Sequence, residues 1–175
     1  PPQPPPTEPP TQTPTPTETP VGMVEVTIEL GSFLVVEDCD GIGGKGDFAL
    51  VASPTGPGDT GNVPPAASVG SADEPRKLGS GDNVRIDREF VFRVPADPEQ
   101  RYEYRVEFWG HEYDFGLGGQ TEDDALGRSR ADSRTHSLDP SSPELGNGLF
   151  NLETGGGNCV LRLDYVYQAR PIAAA

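Results

Sequence analysis

Between residues 24 and 30 the chain reads VEVTIEL, where Val24, Val26, Ile28 and Leu30 alternate with Glu25, Thr27 and Glu29. A period of two puts the apolar set on one face of an extended strand and the polar set on the other. The pattern recurs along the chain. FLVVE follows after Gly31-Ser32, and DFALVA and VRIDREFVFRV come next. In RYEYRVEFW, Tyr102, Tyr104, Val106 and Phe108 alternate with charges, and CVLRLDYVYQ closes the series with Leu161, Leu163, Tyr165 and Tyr167. A stagger at the start of that last run predicts a bulge. No window of helical length carries an i, i+3, i+4, i+7 apolar stripe. Strands at this density, separated by Gly, Pro and Asp turns, predict an all-β fold and an antiparallel β-sandwich.

The first twenty residues cannot join that sandwich. Ten are Pro and six are Thr, so they can neither form ladders nor bury a core, and the segment is expected to be a disordered, extended polyproline-II tether. Pro/Thr stalks lift exported domains off a cell surface; ordinary inter-domain linkers share the composition. The expected organisation is a tether over residues 1–20 and a β-sandwich domain over 21–175. A cleaved export signal upstream of Pro1 is inferred, and a lipoprotein signal would have left its modified cysteine before Pro1. Two long connections interrupt the strands. Residues 53–83 are Gly/Pro/Ser-rich without aromatics, which predicts a long flexible insertion. Residues 132–158 form the second, with Leu149, Phe150 and Leu152 expected to be tucked in.

Charge narrows the function classes. A formal charge of −15 argues against nucleic acid, whose phosphates need clustered Lys and Arg. It also argues against unaided docking on anionic lipid. No apolar run reaches membrane-spanning length.

The stretch DCDGIGGKGDF, residues 38–48, concentrates the remaining signal. Gly41, Gly43 and Gly46 have the spacing of a dinucleotide fingerprint, but that motif needs a helix N-terminus at the pyrophosphate. A β-forming DFALVA follows instead, and Asp47 would repel the phosphate. Counted from Asp38 as an EF-hand loop, Gly43 fits position six, whereas Ala49 stands where a bidentate Glu is required.

A strand ending in carboxylates, a glycine turn and an Asp-aromatic opening of the next strand resembles the first calcium loop of C2 domains. Asp40 and Asp47 match its two Asp positions, and Phe48 replaces a Pro-Tyr pair. A second match lies in YRVEFWGHEYDFGLGGQTEDDALG, where YRVEFW resembles the apolar strand that in those domains ends in Asp-x-Asp, and Asp124-Ala-Leu-Gly127 the Asp-x-x-Gly that follows after a polar loop and leads into another strand. Glu112 falls at the second Asp of their Asp-x-Asp pair, and Gly110 replaces the first. The lysine-rich strand that binds phosphoinositides in that family is absent. The resemblance implies a C2-like sandwich whose loops hold Ca²⁺ through Asp40, Asp47, Glu112 and Asp124; Asp38 and Asp114 join the expected ligand set because the acids crowded on these two loops would repel one another without a divalent cation. Calcium needs six to eight hard oxygens, and loops at one end of a sandwich can converge to supply them. Solvated turn acids are the competing reading, because Asp and Gly are common turn formers.

Cys39 and Cys159 are the only cysteines. In an exported chain an even count points to a disulfide, and closing so long a loop stabilises by roughly 4–5 kcal/mol in the entropic description. Catalysis is not expected. There is no Gly-x-Ser-x-Gly elbow, and Phe115 stands where a zinc-protease His would follow His111-Glu112. The expected function is therefore an exported, surface-tethered, calcium-dependent binding or interaction module. Its partner would be a protein, a glycan or a cell surface, with membrane contact only through an upstream anchor or calcium. A structural subunit of an extracellular assembly or filament is the alternative, in which only residues 21–30 could lend a strand to a neighbour.

Overall fold

The computed structural model describes residues 22–37, 45–57, 66–116, 119–127, 133–142, 145–155 and 159–172, with backbone placement alone for 114–116 and 119–127. The tail of residues 1–20 lies outside this set. Ten strands follow one another: β1 (Met23–Glu37), β2 (Gly46–Thr55), β3 (Ala67–Val69), β4 (Arg76–Leu78), β5 (Asn83–Pro95), β6 (Tyr102–Gly116), β7 (Gly119–Gly127), β8 (Ser133–Leu138), β9 (Asn147–Thr154) and β10 (Val160–Ile172). They form two antiparallel sheets, one ordered β5-β1-β10-β9 and a six-stranded one built on β3-β2-β6-β7, with β4 on β2 and β8 on β6.

The alternation in the sequence fixes what each sheet buries. Val24, Val26, Ile28 and Leu30 of β1 are fully buried, as are Tyr104, Val106 and Phe108 of β6. Phe33 stacks on Phe108 across the gap between sheets at 5.1 Å, and Phe92 meets Tyr104 edge-on at 5.4 Å. Such pairs each bury a large apolar area and add directional ring contacts, so they lock the sheets together.

VEVTIEL and FLVVE, which read as two strands, form one continuous β1. The break at Gly31 is a bulge, because Leu30 and Ser32 pair with the adjacent Tyr165 and Asp164. A further shift between Val35 and Glu37, opposite Leu161 and Val160, puts the expected irregularity on β1 rather than β10. β1 is paired on both sides, to β5 and β10. Residues 23–30 are therefore not available as a strand for a neighbour, contrary to the sequence expectation.

The two long connections are also revised. Within 53–83 the chain completes β2 and then adds β3 and β4, two three-residue strands on β2, so only 58–65 fall outside the described residues. Gly70, at φ +72°, permits the turn between them; a Cβ there would lie against the Phe48 carbonyl and the Arg76 nitrogen. Short strands whose neighbours supply the apolar contacts carry almost no periodic signal. Within 132–158, β8 continues the pairing of β6 where β7 stops, and β9 pairs with β10. Leu152 is buried, but Leu149 faces out at 77% exposure.

The topology gives the sandwich two distinct ends. Met23 pairs with both Ile172 and Pro95, so β1 begins where β10 and β5 finish. At the far end lie Glu37 opposite Val160, Gly46 opposite Leu78, and Gly116 opposite Gly119.

Candidate metal site at the acidic end

That far end collects the acidic segments. Asp47 sits second on β2, opposite Tyr113 of β6 and Lys77 of β4. Glu112 of β6 stands opposite Phe48 on one side and Asp124 of β7 on the other, and Asp114 pairs with Thr121. Three adjacent strands thus bring Asp47, Glu112, Asp114 and Asp124 to one end of one sheet. Asp38 and Asp40 lie outside the described residues, and for Asp114 and Asp124 the backbone position alone is described.

The side chains of Asp47 and Glu112 take opposite faces. Glu112 continues the inward row of Tyr104, Val106 and Phe108 and is only 2% exposed. A Cβ built on Gly46 would lie 3.1 Å from its Oε1, so its carboxylate closes the core at this end. Asp47 points outward, and its carboxylate lies 3.8 Å from the Lys77 ammonium. A buried carboxylate beside the core and an ion-paired one outside make different kinds of donor. Among the described residues no group of three His, Cys, Asp or Glu is placed to hold a metal ion.

Gly110 has a packing reason. A Cβ at this position would lie 2.5 Å from the Ala49 carbonyl oxygen and 2.7 Å from Leu50 Cδ2. The close approach of β2 to β6 therefore excludes a carboxylate side chain at this position.

One acid at this end escaped the sequence reading. Asp82, in the turn from β4 to β5, accepts from the Gly79 backbone at 3.0 Å and from Lys45 Nζ at 2.9 Å. Those two donors, the Gly79 N–H first, hold its carboxyl below the usual range. The turn is tied to β1 by Val35 N–H to the Asp82 carbonyl and Gly81 N–H to the Val35 carbonyl. Lys45 and Lys77 are the only lysines in the chain, and both are engaged here by aspartates. The signal was present in the sequence as the position of those two lysines, each beside an acidic turn.

Cys159, 3% exposed, immediately precedes β10. No cysteine among the described residues is a free thiol, and Cys39 lies outside them. His136, on β8, is far from the acidic end. Its Nε2 lies 2.8 Å from the Tyr165 hydroxyl and its ring stacks on Tyr167 at 4.5 Å. Burial in this aromatic nest, with Arg134 adding repulsion, pulls its pKa down to about 4.

No protein-family model matches the chain, and no curated protein matches it. Solved structures to which it is similar include a C2 domain of plant extended synaptotagmin 1, at 20% identity and a TM-score of 0.35 over 90% of this chain and 100% of that one. A C2 domain protein from Ramazzottius varieornatus matches at 14% identity and 0.34, over 84% and 89%. A human GIVD cytosolic phospholipase A2 matches at 14% identity and 0.36, over 86% of this chain but only 18% of its own length. The two-sheet architecture described above stands on the register of the chain's own strands.

Proposed function

We propose that this chain is an exported, surface-tethered β-sandwich binding module whose acidic end takes up Ca²⁺. The observation that carries this reading is the register that brings Asp47 of β2, Glu112 and Asp114 of β6 and Asp124 of β7 to one end of one sheet. Their donors are hard oxygens, the set that suits calcium rather than softer metals. Asp47, Asp114 and Asp124 would hold the ion, with Asp38 and Asp40 from the preceding connection. By register Glu112 and its cross-strand partner Asp124 would serve from the inner side of the sheet's end and Asp47 from the outer. Gly110 removes one ligand of the C2 pattern, so a single weak site is expected. A bound cation supplies positive charge to an end of the molecule that is otherwise negative, and so lets it meet an anionic partner.

The ends of the fold support the tethering. A stalk joined at Gly22 meets the sandwich where β1 begins, the end away from the acidic strands. With such a stalk the acidic end would face away from an anchor. A bridge between Cys39 and Cys159 would tie the β1–β2 connection to the start of β10 at that same end.

The reading is tested by thermal melting with and without calcium. A rise in melting temperature that disappears when Asp47 and Asp124 are both replaced by Asn supports it, because a ligand of the native state stabilises by mass action. A melting curve indifferent to calcium leaves solvated turn acids as the answer.

A further inference from the structure

The outer face of the four-stranded sheet carries a polar cluster near the opposite end. Arg93 of β5, Glu25 of β1 and Arg170 of β10 form one row by register. Arg93 donates Nε and Nη2 to Glu25 Oε2 at 3.0 and 2.9 Å. Arg170 donates the same pair of nitrogens to Oε1 at 3.1 and 2.5 Å. Glu25 is thereby covered to 7% exposure, while the arginine side chains stay 63% and 72% exposed.

One arginine would neutralise and cover this carboxylate; the second is surplus to that task. Each guanidinium uses two of its five N–H donors on Glu25, and among the described residues nothing else accepts from either. The remaining donors are held in fixed orientation and open to solvent. Two guanidiniums against one carboxylate leave positive charge on this row, with Glu89 supplying the balancing negative charge farther along β5. With Glu25, Glu89 and Val91 they line an open, mostly polar depression of about 540 Å³.

We propose that the Arg93–Arg170 pair, oriented by Glu25, is a binding site for a small ligand bearing a carboxylate at one end and an ammonium at the other. A guanidinium fork matches a planar carboxylate bidentately. Glu89, four residues from Arg93 along β5 and thus about 13 Å away by strand rise, stands opposite Glu29 on the same face. That acidic pair repels a polyanion and attracts a cationic group, and Val91 between the two rows offers a short apolar floor. Self-association through this face is the weaker reading, since it would bring two strongly acidic chains together over a few side chains. The site does not depend on the calcium reading, because it lies on the other sheet and toward the other end.

The test is a titration of the full isotope-labelled chain with 6-aminohexanoate, followed by nuclear magnetic resonance, with sodium chloride at matched ionic strength as control and acetate as a second probe. Saturable shifts are expected at the Arg93 and Arg170 Nε–H groups and at the amides of Thr27, Val91 and Gln168. Arg170→Lys keeps the charge on Glu25 but loses the fork, and should weaken binding at least about fivefold with the remaining amide spectrum unchanged. Glu89→Gln should weaken 6-aminohexanoate about two- to threefold, the size of an exposed ion pair, and leave acetate unaffected. Shifts no different from the chloride control, or Arg170→Lys binding as well as the parent, would overturn the site. Unchanged 6-aminohexanoate binding in Glu89→Gln would overturn the two-ended ligand.

Discussion

The Lys77 ammonium lies 3.8 Å from the Asp47 carboxylate across the β2–β4 pairing, the lysine side chain 72% exposed and the aspartate 11%. A mobile cation thus occupies the outer side of a largely covered acid. If Asp47 is a calcium ligand, Lys77 competes with the ion. Replacing Lys77 by Gln should raise calcium affinity about two- to fivefold, the equivalent of an ion pair of about 0.5–1 kcal/mol. Paired calorimetric titrations measure this. Unchanged or weaker binding in the variant would remove Asp47 from the ligand set.

Gly110→Ala should destabilise by about 1–3 kcal/mol, because the added methyl would press on the Ala49 carbonyl and Leu50. Gly110→Asp should be worse, adding a buried charge to the same clash, and should not create a stronger calcium site. Urea unfolding of both variants checks the order. A Gly110→Asp protein as stable as the parent would show that β2 and β6 lie farther apart at this position.

His136 gives a pH signature distinct from that of the carboxylates. Its pKa in the fold, about 4, lies below the value near 6.5 of an unfolded chain. The unfolded state therefore takes up the proton first, and stability present above pH 6.5 is lost as pH falls toward 4. The loss is about 3 kcal/mol at most, and less to the extent that solvent screens the half-buried ring. In His136→Phe, which keeps the ring contacts, stability should be flat across that window. The further loss below it should persist, since Glu25, Asp82 and Asp139 all have carboxyls held down by their partners. Unfolding free energies measured from pH 7 to 3 separate the two; equal slopes in parent and variant above pH 4.5 would contradict the burial of His136.

Intact mass of the non-reduced protein should be two hydrogens below that of the dithiol, with Cys39 and Cys159 recovered in one linked peptide. Reduction should lower the melting temperature substantially, given roughly 4–5 kcal/mol for a loop of this length. Ready alkylation of Cys159 in the native protein would argue against the bridge.

Removal of residues 1–20 should leave the melting temperature nearly unchanged, since the segment offers no apolar side chains to pack. A fall of several degrees would mean that the Pro/Thr segment docks on the sandwich.

How far the sequence carries can be seen in β1 and β7. VEVTIEL declares both its conformation and its buried face, because one side of β1 packs on a core and period-two burial writes itself into the residues. β7 reads GQTEDDALG, without alternation, and its place beside β6 is visible only in the register. β3 and β4 are hidden because three residues each, with only Ala67 and Leu78 buried in the core, are too few to show a period. At the acidic end, the resemblance of two acidic segments to C2 calcium loops, with the crowding of carboxylates there, pointed to Asp47, Glu112, Asp114 and Asp124 as loop residues; all four lie on strands, β2, β6 and β7, at one end of one sheet. The sequence could not show that Glu112 turns inward while Asp47 turns out, since that depends on the alignment of β2 against β6. Nor could it show Glu25 held between Arg93 and Arg170, three residues far apart in the chain that only the order β5-β1-β10 puts in one row.

Calcium titration of the full chain by calorimetry, repeated on the Asp47→Asn/Asp124→Asn double variant, tests the central claim most directly. One site with a dissociation constant of about 10⁻⁴–10⁻³ M, as in extracellular calcium modules, is expected for the parent and none for the variant. The variant should melt no lower than the calcium-free parent, because two mutually repelling charges have been removed. Absence of binding heat and of any melting shift at about 5 mM calcium, well above such a constant, would contradict the account and leave the acidic end as solvated turns.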